Sequence, residues 1–255
     1  MSVMKNDIPI LEYDSDPAGV ITPDHEHLGL RLPQKAVLAF PGKALERYAE
    51  EHAVKVEGHF ESATRDYPVY VINAGGQAIC LMQAPVGAPA AAQILDWLIS
   101  YGVREVISCG CCGALEDFDE DVFLVPCRAL RDEGTSYHYL PPARFVDVSP
   151  VALNAIERAM TDQNLLYREV TTWSTDGFYR ETKEKVECRR SEGCSVVEME
   201  CAALAACAKF RGAVFGEILF TADTLADTGN YDERGWGRDS AEAAIQLGVD
   251  AVLNI

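Results

Sequence analysis

The sequence predicts a single-domain α/β protein: a twisted, largely parallel mixed sheet flanked by helices on both faces. Three observations predict it. Strand-like and helix-like segments alternate from about residue 36 to the C-terminal end, the rhythm of strands joined by crossover helices. The 255 residues hold no repeat, no low-complexity tract and no Pro/Gly/Ser linker long enough to divide the chain into separate domains. A chain of that length buries roughly three quarters of its unfolded surface, so its core needs no disulfide or metal.

Residues 1–24 carry Pro9, Pro17 and Pro23 among a run of acids and read as an irregular arm, leaving 25–255 as the α/β domain. The apolar run 36–40 is a strand ending at Pro41-Gly42, and 43–52 (KALERYAEEH) follows as a helix. Segments 68–74 and 77–84 flank Gly75-Gly76 and read as a hairpin. Pro89 opens a helix over 89–102, with proline in its first turn and Gly102 as its stop. Strands are expected at 104–110 and 121–130, then a helix at 149–163 and strands at 166–174 and 195–199. A helix at 200–209, a strand at 213–222 and a helix at 239–254 complete the chain. In such sheets ligands sit beyond the carboxyl ends of the strands.

Lys and Arg number 22 against 40 Asp and Glu, a formal charge of −18. That field repels phosphate backbones and anionic lipid, so neither nucleic acid nor membrane is an expected partner. It also opposes any anionic substrate that lacks local positive potential. No apolar run reaches the roughly 18 residues of a membrane span. The start, MSVMKNDIPILEYDSD, is mixed and acidic rather than signal-like, so a cytoplasmic setting is expected. The nine cysteines are odd in number, and Cys80, Cys127, Cys201 and Cys207 sit in apolar runs as small hydrophobes. Cys109, Cys111 and Cys112 crowd into SCGCCGAL, but no second pair stands at zinc spacing. Close packing of small residues is expected there, with no metal and no cofactor.

Four strand ends carry unusual residues. In AVLAFPGKAL, Gly42 makes a tight turn before a helix, either an anion-holding turn or a plain one. VISCGCCGAL ends a strand in small residues that let backbone approach a ligand or simply pack. VVEMECAALAACA sets Glu198 and Glu200 at a strand-to-helix junction, where an acid in an apolar run is costly unless paired or used. GEILFTADTLAD runs from an apolar strand into Asp223 and Asp227, as functional acids or as caps of a following helix.

In order and spacing these segments resemble the nucleoside phosphorylase superfamily of uridine phosphorylases, hexameric purine nucleoside phosphorylases and methylthioadenosine nucleosidases. The likeness runs from about His27 to Asp227, some four fifths of the chain. His27-Leu28-Gly29-Leu30 looks like the HLGL of uridine phosphorylases, whose His reaches a neighbouring subunit's ribose site. Pro41-Gly42 falls at the family's phosphate-binding turn, and Phe178-Tyr179 matches its aromatic pair. Glu198-Met199-Glu200 reproduces its EME, the most specific piece, and Asp223 falls where the purine-active members carry Ser-Asp. The resemblance implies a nucleoside phosphorylase-like fold and rupture of the bond between ribose and base. It makes Glu200 the acceptor of the ribose hydroxyls, Met199 the floor beneath the ribose and Glu198 the more structural acid. Phe178 would stack on the base, and Asp223 would hydrogen-bond to or protonate a purine nitrogen. It also implies a homo-oligomer, dimer or hexamer, in which His27 is shared.

Two departures stand out. Uridine phosphorylases read uracil through Gln-x-Arg, and here the corresponding positions are Thr182 and Glu184, which with Asp223 lean towards a purine-type base while His27 pulls the other way. The phosphate-binding arginines of the family fall at Glu46 and Ser108, and a third, lent by a neighbour, is missing near Gly58-His59. Gly42, Glu46, Ser108 and Cys111 are thus the candidates for the phosphate-or-water pocket. Inorganic phosphate is the family's acceptor and a possible co-substrate if Lys43, Arg47 or His59 is recruited. Water is the rival acceptor, with Glu46 as its base unless that residue is merely a solvated helix-face acid. A catalytically inactive nucleoside-binding or storage protein is the further alternative.

Overall fold

The computed structural model describes residues 3–255, so that residues 1 and 2 of the arm lie outside the described residues. Ten strands run in chain order: β1 (Lys35–Ala39), β2 (Ala53–Glu61), β3 (Asp66–Ala74), β4 (Gln77–Gln83), β5 (Glu105–Ala114), β6 (Phe123–Asp132), β7 (Phe145–Asp147), β8 (Tyr167–Thr175), β9 (Cys194–Glu198) and β10 (Val214–Thr224). The helices are α1 (Gly42–His52), α2 (Ala88–Ser100), α3 (Pro150–Asp162), α4 (Lys183–Ser191), α5 (Cys201–Arg211) and α6 (Ala241–Leu253).

All ten strands belong to one mixed sheet, ordered β10-β6-β8-β9-β5-β1-β4-β3-β2, with β7 on β6. Because β10 also pairs with β5 in parallel, β5, β9, β8, β6 and β10 close into a ring. Cys112, Ala114, Leu124, Val170, Val196 and Leu219 fill that ring from its five strands. Side-chain alternation explains how the rest of the sheet holds helices on two faces. In β1, Ala36 and Leu38 pack into a core with α2 and α5, while Val37 and Ala39 pack into a second core with α1, α3 and α6. Cys80 and Met82 in β4 alternate with Ile79 and Leu81 in the same way. Each large aliphatic side chain so removed from water contributes about 1.5–3 kcal/mol.

The expected hairpin is β3–β4, antiparallel through Gly75 and Gly76. Both glycines have positive φ, 55° and 76°, the conformation a two-residue hairpin turn requires. β5 continues four residues beyond the expected end at Gly110, because β9 and β10 pair with its last residues. The sequence pattern points to no element at 53–61, 145–147 or 183–191. β2 is a polar edge strand that buries only Phe60, and α4 buries only Val186, so neither carries an apolar period. The N-terminal arm holds one short 3-10 turn (Pro9–Leu11) and is tied to α5 by Arg211 Nη1 donating to Pro17 O at 2.8 Å. Among the described residues no helix is long and apolar enough to cross a membrane.

Candidate active site

The carboxyl ends of β5, β9 and β10, with Phe40 after β1 and Val86 after β4, surround a cavity of about 370 Å³. That lies within the roughly 300–1,000 Å³ of small-molecule sites. Its walls carry Cys111, Cys112, Phe178, Glu181, Glu198, Met199, Glu200, Glu217, Asp223 and Trp236 among others. Phe178, Glu181, Asp223 and Trp236 also border an adjoining chamber of about 530 Å³ that includes Tyr179, Lys183 and Tyr231.

The Glu198-Met199-Glu200 turn joins β9 to α5, so the open end of the helix faces the cavity. Glu198 serves that end. Its Oε2 accepts from the backbone N–H of Glu200 and Cys201, both at 2.6 Å, and its Oε1 accepts from Thr172 Oγ1 at 3.1 Å and Ser174 Oγ at 2.5 Å. Four donors at a helix N-terminus suit a carboxylate. Burial still pushes the Glu198 carboxyl up, with these hydrogen bonds pulling against it. Glu200 is held more lightly: Oε1 accepts from the backbone N–H of Gly87 at the start of α2, and Oε2 from Met199 N–H at 3.2 Å. Burial first, then the charge of Glu198, push the Glu200 carboxyl up to about 8. Glu200 also lines the cavity.

Asp223, 5% exposed, is the penultimate residue of β10. Its Oδ2 accepts from Tyr231 Oη at 3.1 Å, and burial raises its carboxyl above the ordinary range against that bond. Gly113 on β5 makes room for it: a Cβ there would stand 3.2 Å from Asp223 Oδ1 and 3.0 Å from Val197 Cγ1. Burial and then Asp223 push the neighbouring Glu181 up to about 7. Phe178, 42% exposed, presents a ring to both chambers, with Tyr179 edge-on to it at 5.0 Å. One cavity thus brings together Glu198, Glu200, Glu181 and Asp223, carboxyls all raised by burial, around an apolar floor.

The remaining sequence candidates fall in different places. Cys111 lines the cavity, while Ser108 lies wholly buried below it and donates through Oγ to Glu217 Oε1 at 2.9 Å. Gly42, Glu46 and His27 are not among the lining residues. Gly42 opens α1 against the Gln83 side chain, whose Cδ would lie 2.8 Å from an added Cβ, so the turn is packed by protein. Glu46 is on the solvent face of α1, whose buried positions are Ala44, Leu45 and Ala49, and ion-pairs with Arg65 at 3.4 Å. The helical period, not the linear distance from Gly42, decides where it points. His27 stands exposed on the loop before β1 with φ of 51°. Of the cations considered as phosphate partners, Arg47 pairs with Glu242 and His59 with Asp66, and neither they nor Lys43 line the cavity.

Comparison with known proteins agrees with this arrangement. The model of the phosphorylase superfamily matches residues 36–254. The chain belongs to the phosphorylase superfamily. A guanosine phosphorylase of Halorubrum lacusprofundi is 29% identical over 196 residues, covering 74% of this chain and 81% of its own. The crystal structure of an AMP nucleosidase from Bacteroides thetaiotaomicron superposes with a TM-score of 0.70 at 26% identity, over 87% of this chain and 88% of that one. A uridine phosphorylase from Vibrio fischeri shares the fold, with a TM-score of 0.75 at 21% identity, over 88% and 93% of the two chains.

Among the cavity residues of this superfamily member that escape sequence reasoning are Glu181, Glu217, Tyr231 and Trp236. Glu217 had a signal, since it is a lone acid in the apolar strand VFGEILF, the same anomaly that marks Glu198 and Glu200. Tyr231 and Trp236 had none. Their loop is set by tertiary bonds, a Thr224–Asp232 bridge, Arg234 Nη2 to Phe118 O at 2.7 Å, and Gly235 and Gly237 N–H to Glu120 Oε1 at 2.8 and 2.9 Å.

Proposed function

We propose that this phosphorylase-superfamily chain cleaves the N-glycosidic bond of a nucleoside, with a purine-type base favoured. The observation that carries the proposal is that Glu200 and Asp223, both buried and both raised above the ordinary carboxyl range, line one cavity with Met199 and Phe178. Asp223, its carboxyl raised by burial, donates in its protonated form to the departing base, and Phe178 stacks on that base. Glu200 accepts from the ribose hydroxyls and, in its ionised form, favours the positive charge that grows on the sugar. Met199 supports the ribose, and Glu198 holds the turn that aims both. The guanosine phosphorylase relative supports a purine-type base. His27, exposed on its own chain, fits the oligomer in which it reaches a neighbour's site. Nine free thiols fit a cytoplasmic setting.

Phosphate is the acceptor expected from the family. A specific observation favours the second reading, water: five acids line the cavity, Glu181, Glu198, Glu200, Glu217 and Asp223, and none of the lining residues is Lys, Arg or His. A phosphate dianion there would meet no guanidinium to offset the carboxylates. The test is a product assay on inosine, guanosine, adenosine, methylthioadenosine and uridine, with and without phosphate. Free purine base from at least one nucleoside supports the proposal; intact nucleosides throughout overturn it. Ribose 1-phosphate identifies phosphate as acceptor, and free sugar identifies water.

A further inference from the structure

Ser108 and Glu217 are direct partners in the parallel β5–β10 register. They share the strand face that carries Gly110 and Leu219 into the cavity. Ser108 is fully buried and Glu217 is 1% exposed. Ser108 spends its hydroxyl proton on Glu217 Oε1 at 2.9 Å, which fixes the plane of the carboxyl group. The other oxygen, Oε2, is buried and receives no N–H or O–H donor, with only the weakly donating Cys201 thiol beside the carboxyl group, although Glu217 borders the cavity. A buried carboxyl oxygen without such a donor is costly, and an occupant of the cavity can remove that cost.

We propose that Glu217, braced by Ser108, is the acceptor subsite of this cavity and selects water against phosphate. This rests on the N-glycosidic reading above. Water suits the group in both of its states, donating to a carboxylate and accepting from a carboxylic acid. Phosphate suits neither. An ionised Glu217 repels it, and a protonated one offers a single hydrogen bond with no positive charge. Burial, and next the charge of Glu198, raise the Glu217 carboxyl, so once ionised it is a stronger base than an ordinary glutamate. In the reacting complex the water oxygen forms a bond to the anomeric carbon as the carbon–nitrogen bond breaks and its electron pair leaves with the base. One water proton passes to the Glu217 carboxylate, and the Asp223 proton passes to the base. The step starts from ionised Glu217 and protonated Asp223, and proton exchange with solvent restores both for the next turnover, leaving free sugar and free base.

The test compares the wild type, Glu217→Gln and Ser108→Ala in base release from guanosine, with and without phosphate, and in calorimetric titration with inorganic phosphate alone. The wild type is expected to release base and free ribose at the same rate in either buffer, and to bind phosphate no tighter than about 10 mM. Glu217→Gln should lower kcat at least roughly tenfold with little change in KM, and should bind phosphate roughly tenfold tighter than the wild type. Ser108→Ala should lower kcat less and shift the pH at which the rate rises. Ribose 1-phosphate as product, submillimolar phosphate binding by the wild type, or full kcat in Glu217→Gln would each overturn the proposal. The titration is read without turnover. A wild type that cleaves nothing yet excludes phosphate, with Glu217→Gln admitting it, would remove the N-glycosidic reading and leave the anion-excluding subsite standing.

Discussion

Glu198 and Glu200 sit two residues apart on one turn, yet four hydrogen-bond donors converge on Glu198 and only two backbone N–H groups reach Glu200. The first carboxylate is built into the junction of β9 and α5, and the second, held by fewer donors, lines the cavity. Their substitution should therefore have opposite consequences.

Glu198→Ala leaves the N–H groups of Glu200 and Cys201 and the hydroxyls of Ser174 and Thr172 without their shared partner. Loss of several buried hydrogen bonds to a charge should destabilise the fold by about 3 kcal/mol. Urea unfolding would read this as a lower midpoint with an unchanged slope. A variant as stable as the wild type would remove Glu198 from its structural role.

The raised carboxyls make stability depend on pH. Glu200 ionises near its usual 4.5 when unfolded and near about 8 when folded, and Glu181 shifts the same way, to about 7. A raised folded value means that folding favours the protonated form. Its contribution to stability is complete below about pH 4.5 and is lost as pH rises through about 8. Against the general gain that other carboxylates bring on leaving acid, Glu200→Gln should flatten the fall between pH 6 and about 8. Unfolding free energies of the two proteins that run parallel across that window would contradict the assignment.

Cys111 opens on the cavity, and burial, followed by Asp223 and Glu200, pushes its thiol up to about 11. The thiolate is the reactive form. Both Cys111 and Cys188 are exposed, so iodoacetamide should label Cys111 more slowly than Cys188 at pH 7.5 because of its raised thiol, and a nucleoside should protect Cys111 but not Cys188. Peptide mapping after timed quenching measures both rates. Equal, unprotected labelling would mean that ligand does not occupy this wall.

Asp96 on α2 and Arg211 at the end of α5 form a two-point pair, Nε to Oδ1 at 2.7 Å and Nη2 to Oδ2 at 3.0 Å, with Tyr139 Oη donating to Asp96 Oδ2 at 3.2 Å. These two helices carry Gly87 and Glu200 at their starts, so the pair fixes the far ends of the elements that make the site. Arg211→Ala leaves Asp96 buried with the tyrosine alone and should cost about 3 kcal/mol of stability. It also frees Pro17 O, so the N-terminal arm should become more sensitive to protease. Both readings unchanged would show that the helices are held by their apolar contacts alone.

Much of the fold is legible in the sequence because burial on two faces leaves a pattern. Val37 and Ala39 point to one core and Ala36 and Leu38 to the other, so β1 reads as a continuous apolar run. β2 and α4 do not, since an edge strand burying Phe60 and a helix burying Val186 have almost no apolar period to read. Closure of the ring depends on β10 pairing with both β5 and β6, a distant choice that no local signal carries. At the cavity, the EME turn is readable because two acids in an apolar run require an explanation. The sequence leaves Glu46 open between a water-activating acid and a solvated helix-face acid, and four residues past Gly42 the turn of α1 carries it to solvent and to Arg65. Glu217 reaches the cavity beside Ser108 through the β5–β10 register rather than through spacing along the chain.

The most direct test of the account is base release from guanosine by the wild type and by Glu200→Gln, followed by chromatography, with nucleoside binding measured on the same samples. The account predicts guanine from the wild type and a kcat at least roughly 100-fold lower in the variant, with its folded spectrum intact and weaker nucleoside binding. Full turnover in Glu200→Gln, or none in a wild type that binds the nucleoside, would contradict it.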